Sequence, residues 1–110
     1  MNSALLNYYE AIEQASQDML EAARIGNVRA DRSRVLLLAN QRIAQNRLLE
    51  PAGDSARHYV DLLRASDPNF EGLADTRALL ATRALDESRK LAAAGNLDRA
   101  DSFLRAAADA

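Results

Sequence analysis

Apolar residues recur every three or four positions along almost the whole chain, and that rhythm sharply limits the available folds. Leu5, Tyr8, Ile12, Ala15, Met19 and Ala22 form one such run. A half-buried strand would alternate in twos instead. Residue usage points the same way. The 110 residues include 23 Ala and 17 Leu, against eight Val, Ile and Thr and five aromatics. Ala and Leu are strong helix formers, whereas strands draw on β-branched and aromatic side chains. The expectation is an all-α domain spanning 1–110, with about five helices in antiparallel hairpins. Residues 1–49 would form an N-terminal helical hairpin, and 54–110 a second group of helices.

Helix boundaries are read from local stop and start signals. Asn2 or Ser3 is positioned to cap the first helix, and Gly26-Asn27 to end it, since both tolerate the left-handed conformation. A second helix is predicted from about Arg29 to Leu49. Its Leu36-Leu37-Leu38 turn covers most of the circumference and should be contacted from two sides. Glu50-Pro51-Ala52-Gly53 breaks it, because Pro51 disfavours helical geometry at Glu50. Asp54 or Ser55 caps a short third helix with Ala56, Tyr59, Val60 and Leu63 on its face. Ser66-Asp67-Pro68-Asn69 stops that helix. A long fourth helix, about Phe70 to Ala94, uses Leu73, Leu80, Ala84, Leu85, Leu91 and Ala92. Gly95-Asn96 ends it, and a fifth helix from Leu97 to Ala108 buries Leu97, Ala100, Leu104 and Ala107. The third and fifth helices match at a constant offset: Ala56/Ala100, Tyr59/Phe103, Val60/Leu104 and Leu63/Ala107. Recurring hairpins of this kind mark repeat architectures.

Net charge is only −2, but it is unevenly spread. Residues 1–23 carry Glu10, Glu13, Asp18 and Glu21 with no Lys or Arg. Residues 24–49 carry Arg24, Arg29, Arg32, Arg34, Arg42 and Arg47 against Asp31 alone. The main reading is an acidic first helix packed antiparallel to a basic second one. The sharper alternative is a basic face for an acidic partner or nucleic acid.

Catalytic patterns are sparse. There is no Cys, which excludes disulfides and thiolate-held zinc or iron–sulfur centres. His58 is the only imidazole, and no Gly-x-Ser-x-Gly elbow or Gly-rich phosphate loop is present. The acidic pairs Glu10/Glu13 and Asp98/Asp101 share helix faces but lack the further ligands that metal chemistry requires. The chain is therefore read as non-enzymatic, with no cofactor, no metal and no small-molecule substrate. No stretch reaches the ~20 apolar residues of a membrane span. Met1-Asn2-Ser3 does not open a secretory signal, so a cytoplasmic location is expected.

Two partial resemblances refine the function. Gly95, Asn96, Leu97, Ala100, Leu104 and Ala107 resemble the second half of a tetratricopeptide (TPR) repeat. Ala56, Val60 and Leu63 followed by Ser66-Asp67-Pro68-Asn69 are similar to such a repeat's terminal helix. With Arg47-Leu48-Leu49-Glu50-Pro51-Ala52-Gly53-Asp54-Ser55-Ala56, the segment 39–110 resembles TPR-like segments of proteobacterial envelope proteins, including TonB-type energy transducers. The first 28 residues, through Leu5–Ile12, Ser16–Ala23 and Gly26-Asn27, resemble a FliT-type flagellar export chaperone. That resemblance implies a small helical protein that holds a partner before export. Two partial likenesses meeting near residue 28 also leave open a recombined or engineered chain. The leading expectation is a protein-interaction module that binds a helix or peptide through Tyr8, Tyr9, Ile12, Met19 and Tyr59. A homodimer through the same stripe, a structural helical spacer without a ligand, and a weak nucleic-acid binder using 24–47 are the alternatives.

Overall fold

The computed structural model describes the backbone of residues 3–110 and the side chains of 7–20 and 28–110. Asn2, and the side chains of Ser3, Leu5 and Ala22, lie outside the described residues. The protein is all-α. Its elements are α1 (Ser3–Ala44), α2 (Ala56–Ser66), α3 (Leu73–Ala93) and α4 (Leu97–Asp109). The chain divides into two compact units, Met1–Asp31 and Arg32–Ala110.

The N-terminal boundary differs from the sequence expectation. Gly26-Asn27 does not end a helix, and α1 continues through it to Ala44. A single Gly in a helix interior costs only about 1 kcal/mol relative to Ala. It permits a stop without enforcing one. The enforced stop comes at Asn46, whose φ of 58° is left-handed. The Arg47 amide donates to the Arg42 carbonyl at 2.8 Å, and the Asn46 amide to Ile43 at 3.0 Å. This is a Schellman closure with Asn in the place Gly usually takes. The same closure ends α3, where Asn96 N–H reaches Leu91 and Gly95 N–H reaches Ala92. Because α1 stops early, Leu48 is buried as a loop residue, not as part of a helix.

The second unit has one core. Ala39 and Ile43 of α1 join Leu48, Ala56, Val60, Leu63, Leu73, Leu80 and Ala84. Val35, Leu36, Phe70 and Phe103 pack at its margin. Leu37 is exposed, so the triple-Leu turn is not enclosed on all sides. Gly72 adopts φ 88°, and a Cβ there would meet the Leu36 Cδ2 at 3.0 Å. Two requirements, left-handed backbone and close approach, thus fall on one glycine. Thr76 Oγ1 donates to Asn40 Oδ1 at 3.0 Å, tying α3 to α1 within this unit.

Helices α3 and α4 form a hairpin around the Gly95 closure. Buried Ser88 donates through Oγ to the Ala100 carbonyl at 2.6 Å, across the seam. The face that α4 buries is turned from the predicted one. Ala100 and Ala106 are buried, with Phe103 and Ala107 partly so, while Leu97 and Leu104 are exposed. Small residues let the two helices approach closely, and close approach pushes the longer Leu side chains to the flank. Arg64 Nη1 donates to the Asp109 carbonyl at 2.7 Å, and Arg77 Nη2 to Ala110. These contacts hold the α4 C-terminus against α2 and α3.

Candidate functional site

Within the first unit, the helical repeat places Tyr8, Ile12, Ala15 and Met19 on one stripe, with Tyr9 and Leu20 beside it. All of residues 7–20 are exposed. Met19 is 73% accessible, Tyr8 66% and Ile12 50%. Scattered exposed apolar side chains are ordinary, but a contiguous apolar stripe on a helix is a recognised mark of an interaction surface. Acidic groups border it. By helical spacing, Glu13 falls next to Tyr9 on one edge and Asp18 next to Ala11 on the other. Asp18 accepts from Gln14 Nε2 at 3.0 Å. Glu10 lies on the opposite face. Four of the five sequence-predicted site residues (Tyr8, Tyr9, Ile12 and Met19) therefore share this exposed region.

Tyr59 is placed elsewhere, in a polar corner of the second unit. Asp54 is its hub. Tyr59 Oη donates to Asp54 Oδ1 at 2.6 Å, Arg42 Nε to the same oxygen at 3.0 Å, and Arg47 Nη2 to Oδ2 at 3.1 Å. Charge-assisted bonds of this type favour the ionised carboxylate. The Tyr59 hydroxyl, then Arg42, hold the Asp54 carboxyl below its usual range. The same carboxylate, then burial, raises the Tyr59 phenol. Backbone pairing completes the corner: Ala56 N–H donates to Arg47 and Arg57 N–H to Leu48. Ser55 caps α2 by accepting from His58 N–H at 3.1 Å. The His58 ring meets Tyr59 edge-on, with centroids 5.1 Å apart.

The corner makes intrachain contacts with every polar group just named. Among the described residues, no group of three or more His, Asp or Glu side chains is placed to hold a metal. A small cavity lined by Leu49, Arg57, Val60, Leu80 and Ala106 has room for about one water. Of the basic segment, Arg32 binds Asp67 at 3.0 Å, and Arg42 and Arg47 bind Asp54. No described helix is long and apolar enough to cross a membrane. The sequence does not show the commitment of Arg42 and Arg47 to Asp54, although Arg47 and Asp54 both lie in the Arg47–Ala56 string. No family model matches the chain, and neither a curated protein nor a solved structure shows significant similarity to it.

Proposed function

We propose that the protein is a non-enzymatic interaction module that uses the exposed stripe of Tyr8, Ile12 and Met19 to dock a helix or extended peptide of a partner protein. The observation that carries this reading is the contiguous exposure of those side chains on one helix face. Burying a large apolar side chain is worth about 1.5–3 kcal/mol, so the three together offer roughly 5–9 kcal/mol gross. Association costs about 4–15 kcal/mol, so Tyr9, Leu20 and the flanking charges decide the net affinity. An amphipathic helix also draws most of its stability from packing its apolar face, which a partner would supply here. An export-chaperone-like role is the sharpest form of the proposal. It rests on the FliT-type resemblance of the first 28 residues, and the TPR-like resemblance of 39–110 is in keeping with protein binding.

The test is a crosslinking pull-down from a bacterial lysate with the wild-type chain and an Ile12→Ser/Met19→Ser variant. The expected result is a protein retained by the first and lost by the second, at unchanged far-UV dichroism. Flagellar secretion substrates among the retained proteins favour the chaperone form. Identical retention by both baits refutes the stripe as the binding surface, and a monodisperse chain that retains nothing favours a structural spacer.

A further inference from the structure

We infer that the occupant of the α1 stripe is a basic amphipathic helix, one whose apolar face is bordered by Lys or Arg. The inference rests on the docking reading above and adds the chemistry of the partner. Its ground is the charge around the stripe. Glu13 and Asp18 border the two edges, and residues 1–23 contain no Lys or Arg at all. The axes of two packed helices lie about 8–10 Å apart, and long flanking side chains reach across the seam to approach one another within the Debye length of about 8 Å at physiological salt.

This charge pattern discriminates among occupants. A second copy docking in register through residues 7–20 would set Glu13 and Asp18 against the same two acids, with no Lys or Arg in that stretch to separate them. Like charges at that spacing oppose pairing. Anionic lipid surfaces and nucleic acid are repelled for the same reason. A helix with cations on both borders satisfies both edges of the stripe at once.

The test is selection from a displayed library of amphipathic helices with a fixed Leu face and flanking positions randomised among Lys, Glu and Gln, using the full chain as bait. Lys should be enriched over Glu at the flanks, with Lys-flanked peptides binding about tenfold more tightly, and the preference should weaken with salt. A Glu13→Lys/Asp18→Lys bait should reverse the enrichment. Selection that is indifferent to flank charge, yet lost with the Ile12→Ser/Met19→Ser bait, overturns the basic-partner inference and leaves the docking surface standing. Selection that is the same with that bait as with wild type overturns the docking surface itself. A doubled mass in light scattering that Ile12→Ser/Met19→Ser restores to monomer identifies a second copy as the occupant and overturns the inference.

Discussion

The same substitution, Leu→Ala, should have very different costs at Leu63 and Leu104. Leu63 of α2 is 1% accessible and sits inside the core, whereas Leu104 of α4 is 50% accessible. Truncating a buried Leu forfeits its transfer free energy and leaves a cavity, a cost of about 2–5 kcal/mol. Leu104 leaves no enclosed cavity. Half of a side chain's burial is worth about 1 kcal/mol, and the better helix propensity of Ala returns a few tenths. A net cost below about 1 kcal/mol is expected. A domain of this size has about 5–15 kcal/mol in total, so the Leu63 change removes a large share. Urea unfolding followed by far-UV dichroism reads both. With a slope of about 1.5 kcal/mol per molar, Leu63→Ala should lower the midpoint by about 2 M, and Leu104→Ala by no more than about 0.5 M. Equal losses would refute the packing of α4 through Ala100, Phe103 and Ala106, and would mean that α4 turns Leu104 inward.

Three further outcomes follow from local geometry. Gly72→Ala should destabilise by about 1–2 kcal/mol from its left-handed backbone alone, more if Leu36 cannot yield, while Gly53→Ala, with open space around it, should be near neutral; thermal unfolding of the two variants separates them. Ser88→Ala removes the bond to the Ala100 carbonyl and should cost about 1 kcal/mol, a fall in Tm of roughly 4–8 °C by calorimetry. Asp54 has a lowered pKa in the folded chain, so its stabilisation is present above the ordinary carboxylate range and is lost as pH falls through the folded value. The raised Tyr59 phenol acts in the opposite sense, with stabilisation present at neutral pH and lost as pH climbs through its folded value. Asp54→Asn should lower the neutral-pH urea midpoint and flatten its fall in acid, and an unchanged acid slope would remove Asp54 from the account.

What could be read in the sequence was what depends on local chemistry. Both ends of α2, the end of α3 and the start of α4 fall within a residue or two of where Ser55, Asp67, Gly95 and Asn96 place them. Each of those signals acts through a hydrogen bond to a near neighbour, so it needs no tertiary context. Gly26-Asn27 misled because a permissive residue ends a helix only when the surroundings favour a reversal. Asn46 was the missed signal, a left-handed-tolerant residue just after Ile43. The repeat echo is similarly divided. Ala56 and Ala100 are both buried, but Val60 is buried where Leu104 is exposed. Periodicity locates an apolar arc to within one residue's turn, and the size of the side chains across the seam decides which edge of that arc faces inward. For the candidate site, Tyr8, Ile12 and Met19 were legible as a stripe, with Tyr9 at its edge. Tyr59 was not separable from them, because its tie to Asp54 depends on the Pro51 turn folding back.

The Asp54 corner has a kinetic consequence. Its three side-chain partners lie 5, 7 and 12 positions away along the chain. Closing such short loops costs little entropy compared with joining distant segments. The α1–α2 corner is thus the part of the second unit that can assemble before α3 and α4 arrive. Substitutions at Ala56 or Val60 should slow refolding nearly in proportion to the stability they remove, whereas those at Ala106 should chiefly speed unfolding. Stopped-flow chevrons with φ-values near zero at Ala56 and Val60 would place the nucleus elsewhere.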